Sequence, residues 1–395
     1  MGNIIVLNLG STSYKFKLFT RDLSMLATGG VENIGAPESA YRLAAGEARR
    51  EGVWKCATHE DAFAQCVDAL VEMGALSSMG DLDAVGYKAV HGGKISGARL
   101  VDEEVLSEME RMCVYAPAHN PIYLRSMRAL RERYPGLAQV ASFETTFHQT
   151  IPEYRAVYGL PYEWVNQYGV RRYGFHGASH SYIARKMGEL QPGARRVVSC
   201  HLGGSSSVCA ILDGRSVATS FGTTLQSGLF HNNRVGDMDA CALAAIIPGE
   251  GGLENAMRAL NTASGLKGLS GVSNDMRKVH EARLAGNARA QLAVDAFADN
   301  VLGYVGMFAA YMNGLDALVF TGGIGYNDAY LQRRVCENLG YLGVKLADEP
   351  DGDLLSAPDS RAWVYRLETN EERMVAQNVL RVHCTQSEKK DTKVN

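Results

Sequence analysis

The sequence predicts an α/β protein of two lobes that arose by internal duplication, and three observations carry that prediction. An apolar run that breaks into a Gly/Ser loop occurs twice: residues 4–9 run into Gly10-Ser11-Thr12-Ser13, and residues 197–202 into Gly203-Gly204-Ser205-Ser206-Ser207. Each loop leads into a second apolar stretch, 16–19 and 208–212, so strand, loop, strand opens each half of the chain. Predicted strands are also grouped ahead of helices, which indicates α/β lobes. Finally, 395 residues with 46% apolar and 21% charged content suit two domains, each with its own core.

In order along the chain, residues 4–8 and 16–19 read as strands around the first loop. Lys15 and Lys17 alternate there with Phe16 and Leu18, as on a half-exposed strand. A third strand covers 26–31. Residues 60–73 are helical, with apolar positions 63, 66, 67, 70 and 71. A strand over 84–90 ends in His91-Gly92-Gly93, helices cover 103–112 and 121–132, and a strand at 139–143 leads into Glu144. In the second half a helix covers 180–187, and residues 196–221 repeat the three-strand unit around an Asp213-Gly214 turn. Helices follow at 241–247 and 290–313, then a strand at 317–320 running into Thr321-Gly322-Gly323-Ile324-Gly325. A late strand covers 361–367 and a final helix 371–382. Thr369 as N-cap with Glu372 three residues on fits a capping box, which leaves Glu371 free to face a metal ion. The expected domains are an N-terminal lobe, 1–148, joined by the terminal helix at about 372–385, and a C-terminal lobe, 149–371. A polar, Lys-rich tail covers 386–395.

Composition excludes several functions. A net charge of −3 gives no basic face for nucleic acid, so any anion site is local. No run of about 18 apolar residues is present, so no membrane span is expected. The chain enters an apolar strand within three residues and shows no basic leader, so the cytoplasm is the expected compartment. Eight scattered cysteines without CxxC pairs read as reduced thiols rather than zinc ligands.

The chemistry-bearing features are loops. A Gly/Ser loop after a strand offers backbone N–H groups to an anion. One alone means little; here there are three, at 10–13, 203–207 and 321–325. None is a P-loop, and the third also fails the dinucleotide fingerprint. Six of ten histidines (His91, His119, His148, His176, His180 and His201) lie near predicted strand ends or near Gly or Pro. Arg234, in a polar loop, and Asp275-Met276-Arg277 read as solvated unless an anion lies near them.

These pieces together resemble the acetate kinase family, of the acetate and sugar kinase/Hsp70/actin superfamily. The resemblance runs the whole length. It rests on Asn8-Leu-Gly-Ser-Thr-Ser-Tyr-Lys15, Val90-His-Gly-Gly93, Ala116-Pro-Ala-His-Asn-Pro121, Phe147-His-Gln-Thr150, and the highly specific Arg171-Arg-Tyr-Gly-Phe-His-Gly-Ala-Ser-His180. His201-Leu-Gly203, Arg234-Val-Gly-Asp237, Ser270-Gly-Val-Ser-Asn-Asp-Met-Arg277 and Phe320-Thr-Gly-Gly-Ile-Gly325 complete it. It implies two ribonuclease-H-like (actin-like ATPase) lobes with a cleft between them, a homodimer, and reversible in-line phosphoryl transfer from ATP to a short carboxylate, acetate foremost. Mg²⁺, with Mn²⁺ as an alternative, is the implied cofactor. By the same resemblance Asn8 and Glu371 match metal positions. Lys15, His201, Leu202, Gly203, Gly204, Ser205, Asp275, Met276 and Arg277 match nucleotide contacts, with Gly323, Ile324, Gly325, Tyr326 and Asn327. His176 and Arg234 match transition-state stabilisers, and Val90 and Phe175 the acyl pocket.

The departures from the family pattern matter equally. Lys88 stands for the arginine that grips substrate, keeping the charge and losing the bidentate fork. Glu144 stands for an essential aspartate, Gly204 for an asparagine, Tyr326 for a glutamate. In the acyl pocket Ala118 replaces a leucine and Leu225 a proline. A carboxylate nucleophile is already ionised at pH 7, so Glu144 is expected to organise the metal or Arg234 rather than remove a proton. The competing expectations are a kinase for propionate or another short acid, and a nucleotide-binding paralogue with weakened catalysis. A pyrophosphate donor, suggested by Tyr326, is opposed by the intact 321–325 loop.

Overall fold

The computed structural model describes residues 2–95 and 97–391. It divides into two compact lobes: one holds the described residues up to Thr146 and those from Asn370 onward, the other Phe147–Thr369.

In the first lobe β1 (Asn3–Leu9), β2 (Ser13–Phe19) and β3 (Met25–Glu32) form an antiparallel meander. It is extended by β4 (Ser39–Ala45) and β5 (Ala48–Trp54). β6 (Leu82–Ala89) runs parallel to β1, and β8 (Ala138–Phe143) parallel to β6, with β7 (Ala98–Leu100) on the edge; the order is β5-β4-β3-β2-β1-β6-β8-β7. The second lobe repeats the plan. β9 (Arg196–His201), β10 (Ser207–Leu212) and β11 (Arg215–Thr219) form the meander, and β12 (Ala317–Thr321) runs parallel to β9. β15 (Trp363–Arg366) runs parallel to β12, with β13 (Leu346–Asp351) and β14 (Leu354–Ser356) outside it; the order is β11-β10-β9-β12-β15-β14-β13. Both sheets thus share a five-strand core in the order third, second, first, fourth, fifth, and the duplication is visible in topology as well as in sequence.

Each lobe has its own core. The 24-residue helix Ala288–Tyr311 buries Val294, Phe297, Val301, Val305 and Phe308 beneath β9 and β10. By length and composition it is apolar enough to cross a membrane, a match that reading for unbroken apolar runs missed. Here its apolar face is core, and each such side chain contributes about 1.5–3 kcal/mol by burial. The terminal helix packs Val375, Ala376 and Val379 on Ile4, Val6, Ala84 and Val140 of the first lobe. Gly86 on β6 makes room for it: a Cβ there would lie 2.6 Å from a Val379 methyl carbon.

Two expectations need correction. The capping box at 369–372 does not form. Asn370 caps instead, its Oδ1 accepting from the Arg373 N–H at 3.2 Å, and Glu372 is engaged with Lys17 at 3.0 Å, so it cannot reach back. The capping box present is Thr58–Asp61, at the start of helix His59–Glu72. The terminal helix also runs Glu371–Asp391, through most of the expected loose tail; residues 392–395 lie outside the described residues. The β4–β5 hairpin is an addition. It turns through Gly46 at φ 54°, and β5 is polar and mostly exposed, so it carries no apolar signal.

Candidate functional site

Parallel strands deliver side chains to their C-terminal edge. In the first lobe the register sets Leu7 opposite Tyr87 and Lys88 opposite Ser142, so Asn8 and Lys88, one residue before the ends of β1 and β6, and Glu144, directly after β8, lie on one edge. The start of the terminal helix brings Glu371 to that edge, where the Lys88 ammonium donates to its carboxylate. Glu144 is buried, its N–H held by the Ala89 carbonyl at 2.8 Å. Burial alone would push the Lys88 pKa down. The charges of Glu371 and Glu144, joined by Glu372, outweigh it and push the pKa above the ordinary lysine value, so Lys88 stays cationic. Lys15 pairs across the meander with Asn8 and lines a groove of about 780 Å³. Asn120 clamps the turn after β6, accepting from the His91 N–H at 3.3 Å and donating to the His91 carbonyl at 2.9 Å. Val90 is buried beside that turn, and Ala118 lies in the exposed turn before helix Asn120–Arg133. Among the described residues no three His, Cys, Asp or Glu side chains converge into a metal cage. The oxygen donors of this edge suit a hard cation that keeps water and borrows phosphate oxygens.

The second lobe holds a pocket of about 1100 Å³ at the C-terminal ends of β9 and β12. Gly203 and Gly204 form one wall, Asp275, Met276 and Arg277 another, and Gly323, Ile324 and Asn327 a third. The loops are locked together. Leu202 N–H donates to Thr321 O at 2.8 Å, and Ile324 and Gly325 N–H donate back to Leu202 O at 2.9 and 3.0 Å. Gly322 makes this approach feasible at φ 78°, where a Cβ would sit 2.6 Å from the Leu202 carbonyl oxygen. Asp275 caps helix Met276–Leu284 and holds the Arg277 guanidinium at 2.6 Å, which lowers its carboxyl pKa to about 2. Leu202, Ser205, Gly325 and Tyr326 are not lining residues; the Tyr326 hydroxyl donates instead to Asp353 at 3.1 Å. His280 and Asp328, joined at 2.8 Å, do line the pocket and tie two of its walls together. Sequence reading missed both, although Asp328 follows the glycine loop in a helix-capping position.

A buried histidine cluster lies in the same lobe. His176 starts helix Gly177–Leu190 from the left-handed region, φ 57°, a strained position for a side chain of its size. Its ring centroid is 4.1 Å from that of His201, and its Nδ1 is 2.8 Å from Ser207 Oγ. Phe175 is fully buried edge-on to Phe221, and its carbonyl accepts from His148 Nε2 at 2.8 Å. Arg234 donates to the Leu225 carbonyl at 2.7 Å and has no acidic partner among the described residues. Burial pushes its pKa down, the signature of a guanidinium that gains from an anion. Neighbouring His231 accepts from the Ser206 N–H at 2.9 Å; burial first, then Arg234, push its pKa down to about 3, so it adds no competing charge.

Comparison with known proteins gives matches over nearly the whole chain. The family described as acetokinase matches residues 3–377. An acetate kinase of Parabacteroides distasonis is 38% identical over 397 residues, covering 96% of this chain and 98% of that protein. A propionate kinase of Citrobacter rodentium is 39% identical and covers 96% of each. The crystal structure of Porphyromonas gingivalis acetate kinase superposes with a TM-score of 0.88 at 35% identity, covering 97% of this chain and all of that one. A Francisella tularensis propionate kinase gives 0.88 at 34%, covering 96% and 99%.

Proposed function

The chain belongs to the acetokinase family, and from that premise we propose that it transfers the γ-phosphoryl group of ATP to a short carboxylate, acetate foremost and propionate next. One observation carries the reading most: a glycine-walled pocket in the lobe that holds Arg234, a half-buried guanidinium with no acidic partner among the described residues. Backbone N–H groups at Gly204 and Gly323 suit phosphates, and Asp275 to Arg277 suit the nucleoside.

The chemistry follows from charge. A carboxylate oxygen attacks the γ-phosphorus, the bond to the β–γ bridging oxygen breaks, and ADP carries away the electron pair. The nucleophile is already ionised, so no strong base is needed. What the reaction needs is donors on the equatorial oxygens, which Arg234 and His176 supply. Lys88 orients the carboxylate as a point charge. Asn8 and Glu371 are oxygen donors that fit Mg²⁺, with Glu144 buried nearby. When bound, the ion would neutralise charge on the phosphate chain. The family resemblance assigns Val90 and Ala118 in the first lobe, and Phe175 and Leu225 in the second, to acyl recognition, and the volumes of the last three are expected to bear on chain length.

The direct test traps acyl phosphate as hydroxamate from acetate, propionate and butyrate with Mg-ATP; no product from any of them, with folded protein, contradicts the reading. A second reading, a nucleotide-binding relative with slowed transfer, is favoured by the Lys88–Glu371 pair, which engages the expected metal ligand. ATP binding in calorimetry without acyl phosphate supports it. We also infer a homodimer, for which Tyr154, Tyr162, Trp164 and Tyr168 offer an exposed aromatic surface. Among the described residues the cysteines are free thiols and mostly buried, which suits a reducing compartment, and the cytoplasm is the one we infer.

A further inference from the structure

His180 lies four residues after His176, the N-cap of helix Gly177–Leu190, and their ring centroids are 6.4 Å apart. Ser207, on β10, stands between them: its Oγ is 2.8 Å from His176 Nδ1 and 2.9 Å from His180 Nε2. The other nitrogen of His180, Nδ1, is 2.9 Å from Ser199 Oγ on β9. We propose that His180 is a positioning residue that fixes, through the single hydroxyl proton of Ser207, which ring nitrogen of His176 carries hydrogen. This rests on reading His176 as a phosphoryl-contacting residue.

A hydroxyl has one proton, and a neutral imidazole has one N–H. Two closed orders follow for neutral rings. In one, Ser199 O–H donates to His180 Nδ1, His180 Nε2–H to Ser207, and Ser207 O–H to His176 Nδ1, so His176 carries its proton on Nε2. In the other every donor reverses, and His176 Nε2 is bare. Only the first gives a neutral His176 a donor at the nitrogen remote from the relay, as phosphoryl oxygens require. The rings packed around the pair are His148, His201 and Phe221. His148 is itself fixed: the Phe175 carbonyl can only accept, so Nε2 bears its hydrogen and the Ser216 hydroxyl donates to Nδ1 at 2.8 Å. Full burial pushes the pKa of His180 well below its ordinary value, with His148 and His201 adding to it, so it stays neutral as the relay needs.

The test is ¹⁵N NMR of histidine-labelled full-length protein, which reads each ring's tautomer without turnover. Wild type is expected to show His176 protonated at Nε2. Ser207→Ala should mix the two tautomers and lower kcat by about 10–100-fold, the scale set by outer partners of metal-binding histidines, with the KM for ATP little changed. Ser207→Thr, which restores the hydroxyl on a strand that accepts β-branching, should rescue both. A wild-type His176 protonated at Nδ1 overturns the proposal, even if the alanine variant does not fold. So does an alanine variant with the wild-type tautomer. Inactive wild type with the predicted tautomer change would sink the kinase reading and leave the relay standing.

Discussion

Arg234 and Lys88 are both cations, yet the structure treats them differently. Among the described residues the Arg234 guanidinium is tied only to a backbone carbonyl, whereas Lys88 is held by Glu371 among three carboxylates. Arg234→Ala should lower kcat by roughly 10³-fold or more in steady-state assays with unchanged circular dichroism, as for other arginines in phosphoryl transfer. Lys88→Met removes the competitor for Glu371, so Mn²⁺ binding followed by electron paramagnetic resonance should tighten while the KM for carboxylate rises. Lys88→Arg should lower that KM by restoring the fork. At this scale the sequence showed which residue types mattered but not who holds whom. Lys88 and Glu371 are separated by 283 positions, and no local pattern foretells their pair. His280 and Asp328 were missed for the same reason: one is an ordinary polar residue on helix Met276–Leu284, the other an ordinary helix cap, and no local pattern joins them.

Among elements, Leu202 at the end of β9 and the turn after β12 are held in close backbone contact. Gly322→Ala places a Cβ 2.6 Å from the Leu202 carbonyl oxygen at a positive φ. It should cost on the order of 1–3 kcal/mol in urea unfolding and weaken ATP binding measured by calorimetry. The buried histidines around β9–β11 give a pH dependence. Burial holds the pKa of His148 at about 4 and of His231 at about 3, against an ordinary 6.5. The unfolded chain therefore takes up protons first as pH falls. Their contribution is full above about pH 6.5 and is lost as pH drops toward 4 and then 3, at about 1.4 kcal/mol per unit for each. Thermal unfolding should show Tm falling through that window, and His148→Gln should flatten the slope; an unchanged slope would refute the assignment. The repeated apolar strands were legible because burial on both faces leaves unbroken apolar runs. β5 was not, since an exposed edge strand shows no such run, and the 369–372 cap was misread because Thr369 and Asn370 are both good caps and only the Lys17–Glu372 pair decides between them.

For the molecule as a whole, the shared strand order of the two sheets explains why one duplicated phrase foretold so much. Each copy builds the same five-strand core and presents a different set of groups at the same strand ends: Asn8, Lys88 and Glu144 in one lobe, His201 and the glycine-walled pocket in the other. The homodimer reading belongs to this scale. Light scattering should give twice the chain mass, and Trp164→Glu should shift it toward the single chain; a monomeric wild type would remove that reading. Acyl-chain preference was not legible, because Ala118 loses volume where Leu225 gains it. The most direct test of the central claim is hydroxamate-trapped acyl phosphate formation with Mg-ATP across acetate, propionate and butyrate. The account predicts saturable product with acetate or propionate, abolished by Arg234→Ala. ATP bound with no acyl phosphate formed from any of the three would contradict it.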